Sequence, residues 1–207
     1  MLKTTLAALG ALLTLTACGQ STPAGTSSSS DTASACTKVD APLLNVDPRS
    51  DDEPKVAIPQ PSGWERYTQM DSELIRAALV NKSLTANDFT PNVVYTMDKL
   101  PGSIDSQKAL DSERDGLVKV GGATDVKVTP GTVCGLPGQT VHYMLAASGT
   151  VARHPAILRE AVVKAGDHTY VVSVTVQTTN PADPTYQRDA ATIIDGMQVL
   201  APQGGKG

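Results

Sequence analysis

The sequence predicts an α+β domain, an antiparallel sheet covered by helices, and three observations predict it. First, four β-rich segments follow one another between residues 124 and 178, separated by turn residues. Second, the chain closes on an amphipathic helix: Tyr186, Ala190, Ile193, Ile194 and Met197 recur at helical spacing, and such a stripe must lie on a sheet. Third, aromatic residues are scarce, with one Trp, one Phe and five Tyr in 207 residues, so the core must be built from Val, Leu, Ile and Ala.

The N-terminal residues read as an address. Lys3 provides a positive charge, Leu6 to Leu15 a short apolar run, and Thr16-Ala17 the small residues before Cys18. The run is too short to span a bilayer. Leu15-Thr16-Ala17-Cys18 resembles a bacterial lipobox, which implies a signal peptide over residues 1–17 and a thioether-linked diacylglycerol on Cys18. The alternative is an ordinary secretory signal cut after Ala17. Residues 18–35 then form a tether: Gly19 to Ala35 has no Leu, Ile, Val or aromatic residue. Such a segment cannot bury enough apolar surface to offset its ordering entropy. Its root-mean-square reach is roughly 23 Å. One domain follows over residues 36–202, with a short tail at 203–207.

Removing residues 1–17 takes away one Lys and no acid, leaving 16 basic and 21 acidic residues. That balance argues against nucleic acid as a partner, since phosphate binding along a backbone needs a basic patch. Two cysteines remain in the domain, Cys36 and Cys134. An even count outside the cytoplasm favours a disulfide, the alternative being two unpaired buried thiols.

In chain order, five prolines between Asp40 and Ser62 forbid a helix and leave Val56 to Ile58 as a short extended piece. Trp64 reads as a core anchor. Asp71 is placed to cap a short helix with Leu74, Ile75 and Ala78 inward, or else Ala77 to Val80 is already extended. Asn92 to Met97 is strand-like. Ser103 is a candidate cap for a helix to about Val120, stopped by Gly121-Gly122. Then come the strands Thr124 to Val133, Gln139 to Ala147, Pro155 to Ala165 and Thr169 to Thr178, with turns near Gly149 and at Ala165-Gly166-Asp167. Asp183 and Pro184 open the last helix. From pattern alone, both helices are expected on one face.

Phe89-Thr90-Pro91-Asn92-Val93-Val94 and Leu100-Pro101-Gly102, followed by a helix, a four-strand meander and a terminal helix, resemble the LpqN/LpqT lipoprotein family of mycobacteria. The resemblance spans roughly Cys36 to Leu200. It implies a Mog1/PsbP-like α/β/α sandwich and a non-enzymatic envelope lipoprotein, in some members associated with long-chain cell-wall lipids. It supplies no catalytic residue to carry over.

The residues agree with a non-enzyme and imply no cofactor or metal. The three histidines, His142, His154 and His168, show no ligand spacing, and no nucleophile elbow or phosphate loop is present. Asp51-Asp52-Glu53 lacks calcium-loop alternation and reads as a solvated loop. Two function classes remain. One is a binding module at the extracytoplasmic face of the membrane, holding a cell-wall lipid or glycolipid or assisting its transporter. The other is an interaction module contacting envelope proteins, with no ligand cleft. For the first, the cleft is expected under the helix from Ser103 to Val120, whose apolar stripe is thin, with Leu110 and Leu117 as candidate lining and Glu113 close to that face.

Overall fold

The computed structural model describes residues 35–202. The signal segment, Cys18 and nearly all of the tether therefore lie outside the described residues.

The meander forms as its alternation requires. β6 (Thr124–Val133), β7 (Leu136–Leu145), β8 (His154–Ala165) and β9 (His168–Gln177) pair antiparallel in succession. The β8–β9 turn is tight because Gly166 takes φ +54°, a conformation that suits a residue without Cβ. β5 (Asn92–Pro101) adds to the free side of β9 over its whole length, and β4 (Ile75–Val80) and the two-residue β3 (Glu65–Arg66) follow. The result is a seven-stranded sheet in the order β3-β4-β5-β9-β8-β7-β6.

The helices lie on opposite faces, which corrects the expectation of one covered face. α1 (Ser106–Lys119) sets Ala109 and Leu110 against Val162 and Val171. α2 (Pro184–Gly196) sets Tyr186, Ala190, Ile193 and Ile194 against Ala161, Val163, Val172 and Val174. Consecutive strand residues point to opposite faces, so the two helices sandwich the sheet. β9 reveals this in its own sequence: Tyr170, Val171, Val172, Val174 and Val176 are all fully buried, because both of its sides are covered.

A second sheet was not expected. β1 (Leu43–Val46), β2 (Lys55–Pro59) and β10 (Gln198–Leu200) form three antiparallel strands in the order β1-β2-β10. This small sheet joins the main core through Val56, Ile58 and Val199. Gly196 makes the junction possible: a Cβ there would stand 2.4 Å from Val39 Cγ2 and 2.7 Å from Pro59 Cγ.

Cap assignments shift by small amounts. Asp183 caps α2 as expected, its carboxylate accepting from the N–H groups of Thr185 and Tyr186 at 2.8 and 3.0 Å. α1 is capped by Asp105, which accepts from Lys108 N–H at 3.0 Å, and not by Ser103. Ile104 N–H is already taken by Thr169 Oγ1 at 2.9 Å, which holds the preceding residues off the helix. Asp71 caps no α-helix: its carboxylate receives Arg66 at 2.7 Å, a single 3-10 turn (Thr68–Met70) precedes it, and Leu74 is 55% exposed. Of the two readings of that stretch, the extended one holds.

Candidate functional site

The site follows from how α2 covers its face. α2 rests on β8, β9 and β2 and leaves the same face of β7 and β6 without a helix. The uncovered strip is bounded by three cross-strand rows. Lys127 pairs His142, which pairs Ile157; Thr124, Met144 and Pro155 form the row on one side; Thr129, Thr140 and Arg159 form the row on the other. Between this strip and α2 lies a half-open groove of about 550 Å³. Its sheet wall carries Lys127, Thr140, His142, Met144 and Ile157, and its helix wall Tyr186, Gln187, Ala190, Ile194 and Asp195. The volume falls within the roughly 300–1,000 Å³ of small-molecule sites, and the mostly apolar lining with a few polar groups is of the same kind.

The charges around the groove are largely paired. Asp125 is held by Arg153. Asp195 at the end of α2 faces Arg159, whose guanidinium is anchored on Thr140 Oγ1 at 2.5 Å and Thr132 O at 2.6 Å. Burial pushes the Tyr186 hydroxyl far above its ordinary range, so it is neutral. Lys127 and His142 are exposed, and neither has an ion pair among the described residues.

The groove does not lie at the helix where the cleft was expected. Leu110 is buried with Ala109, Val162 and Val171, and Leu117 packs on the cluster of Ala123, Val141, Tyr143, Ala156 and Leu158. Neither lines the groove, which sits under the other helix. The first helix instead covers a polar floor. Glu160 is 1% exposed and receives Gln139 Nε2 at 2.6 Å and Ser173 Oγ at 3.3 Å. Gln139 Nε2 also reaches the backbone carbonyl of Leu110 at 3.4 Å. Burial pushes the Glu160 carboxyl up to about 7, and repulsion from Glu113 and Asp98 adds to it. Those two carboxyls are themselves raised, both chiefly by burial. The groove has a legible sequence signal. In β7, Val141, Tyr143 and Leu145 share one side while Thr140, His142 and Met144 share the other, and a polar side in mid-sheet marks where helical cover ends.

The remaining singled-out residues are structural. Cys36 and Cys134 form a disulfide, S–S 2.00 Å, beside Met197 and Val199. Trp64 is 2% exposed and donates to Asp189 Oδ2 at 3.0 Å. Phe89 packs against His154 with ring centroids 4.7 Å apart and the planes tilted by 45°. The chain continues through Gln177, which meets His154 Nε2 at 2.9 Å and donates to Asn92 Oδ1 at 2.8 Å. Phe89 and Asn92 thus tie one end of the sheet. The acidic loop is not simply solvated. Asp52 accepts from Ser50, Tyr170 and Lys99, which hold its carboxyl well below the usual range, and Glu53 pairs with the buried Arg76. Among the described residues no cluster of His, Cys, Asp and Glu could hold a metal, and no helix is long and apolar enough to cross a membrane.

Residues 39–200 match the model of a family described as probable lipoprotein LpqN. No curated protein sequence matches the chain. Among solved structures, the chain is similar to LpqN of Mycobacterium tuberculosis, described as involved in cell envelope biogenesis. The TM-score is 0.60 at 15% identity, covering 77% of this chain and 91% of that one. It is also similar to the Ran-binding protein Mog1p of Saccharomyces cerevisiae, with a TM-score of 0.46 at 14% identity, covering 76% and 93%. The fold is that of LpqN: antiparallel sheets with two helices.

Proposed function

The chain belongs to the LpqN lipoprotein family, and from that premise we propose that it is a non-enzymatic lipid-binding lipoprotein of the cell envelope. In this reading Cys18 carries the lipid that anchors it to the extracytoplasmic face of the membrane. The groove between α2 and strands β6–β8 holds the acyl part of a cell-wall lipid or glycolipid, for hand-over or for a transporter that moves it. One observation carries the reading: a groove of about 550 Å³ whose helix wall is Tyr186, Ala190 and Ile194 and whose floor includes Met144 and Ile157. A site so lined offers aliphatic surface to a chain, at roughly 25 cal/mol per Å² removed from water. No Ser or Cys lines it, and Thr140 Oγ1 accepts from Arg159, which supports a binding role over covalent catalysis.

Native mass spectrometry of protein purified from its own host tests this directly. A co-purifying lipid, lost when Ala191→Trp at an exposed lining position fills the groove, is expected. Protein that carries no lipid and binds no fluorescent acyl probe would leave only an interaction role with other envelope proteins. Anchoring is tested separately: Cys18→Ala should move the protein from the membrane to the soluble fraction, and unchanged detergent partitioning refutes the lipid anchor.

A further inference from the structure

The inference rests on the groove being an acyl site and concerns which amphiphile it takes. We propose that the groove selects lipids with an anionic head group, bound by Lys127 and His142 at the outer strands while the chain lies under α2.

The row Lys127–His142–Ile157 runs across the groove wall from the edge strand inward. Its outer two members are exposed and polar, and its inner member is partly buried against the main core. Polarity therefore falls along one row, from an ammonium through an imidazole to an aliphatic side chain. An amphiphile laid along it has its head at β6 and its chain toward Ala190 and Ile194.

The sign of the head follows from the charges that line or face the groove on every wall. Asp125 and Lys127 come from β6, His142 from β7, Arg159 from β8, and Asp195 with the neutral Tyr186 from α2. Both carboxylates have a cation: Arg153 on Asp125, Arg159 facing Asp195. Lys127 has no acidic partner among the described residues. The groove thus carries one uncompensated positive charge, although the whole chain has a formal net charge of −4. A charge-assisted hydrogen bond from Lys127, with a second donor from His142, suits a carboxylate or a phosphate and offers nothing comparable to an ester or a hydroxyl.

The test is a fluorescence titration of the full mature chain with cis-parinaric acid and with its methyl ester. The acid should bind about tenfold more tightly than the ester. Lys127→Gln and His142→Ala should each bring the acid toward the ester while leaving the ester's affinity unchanged. Both side chains are exposed, so an unchanged unfolding midpoint confirms that these variants fold. Equal affinity for acid and ester, or equal weakening of both in Lys127→Gln, overturns the head-group assignment and leaves the acyl groove standing. Failure of both probes to bind removes the groove reading itself. Competition then separates the sources of the charge. Displacement by oleate alone assigns a carboxylate head, and by lysophosphatidic acid alone a phosphate head. Displacement by monoolein as strong as by either overturns the proposal.

Discussion

Beneath α2 the sheet presents Ala161, Val163, Val172 and Val174 to Tyr186, Ala190, Ile193 and Ile194, and the helix's buried carboxylate, Asp189, is taken by Trp64. Beneath α1 the same two strands present Glu160 and Ser173, and β7 adds Gln139, with apolar contacts to either side. One face is close-packed in its middle and open at its margin. The other is covered over a buried carboxyl that favours its proton. The comparison teaches that a thin apolar stripe on a helix need not mean a cavity beneath it. Under α1 the missing apolar area is filled by a hydrogen-bonded polar network, whereas the cavity arises where the dense helix α2 stops short of β6 and β7.

The largest effect should come from the bridge that closes the α2 side. Cys134→Ser frees a loop of 98 residues, and about 4 kcal/mol of stability should be lost in denaturant titrations. Free-thiol labelling of the denatured, unreduced protein should find neither cysteine, and two labelled thiols contradict the bridge. Next, Ile193→Ala should cost about 2–5 kcal/mol, because the side chain is fully buried and its removal leaves a cavity. A cost below that range would mean the α2 face is looser than its packing indicates.

The α1 face should answer to pH. The Glu160 carboxyl ordinarily titrates at 4.5 and is held at about 7 in the fold. Between those values the native state keeps a proton that the unfolded chain has lost. Stability is therefore undiminished below pH 4.5, falls as pH rises to about 7, and is level above that. The shift corresponds to roughly 3 kcal/mol. Glu160→Gln should remove most of that slope, leaving a remainder from Glu113 and Asp98. A pH profile that Glu160→Gln does not change would show that the carboxyl is not held protonated under α1. The smallest effect is expected at the helix caps. Asp105→Ala should cost about 1 kcal/mol and raise amide exchange along α1 while leaving α2 protected. Equal loss of protection in both helices would mean that the two faces open together.

Much of this was legible in the residues, and the illegible part has physical causes. The meander was readable because β-branched alternation and turn glycines agree over residues 124–178. α2 was readable because Asp183, Pro184 and an unbroken stripe all point to one helix. β1 and β10 were not readable: each has four residues or fewer, and each is a strand only because β2 lies between them. The faces of the two helices are set by long-range pairing, which neither helix encodes. The groove was readable only by weighing both sides of β7 at once. Leu110 and Leu117 drew attention because a sparse stripe suggests a gap, while Gln139 and Glu160, whose network fills it, stand on other strands.

The link from Cys36 to Cys134 also decides how the domain bears load. A pull arriving through the residues before Cys36 divides there. One branch follows the backbone toward β1, and the other crosses the sulfurs to the β6–β7 hairpin. β1 is held to β2 by four paired positions at a sheet edge, so under tension it would detach residue by residue. With the bridge closed, force passes instead into a hairpin that pairs through Val133 and Leu136 at its tip and is seated beside Met197 and Val199. The small sheet is then spared, and reduction would make β1 the first point of yield.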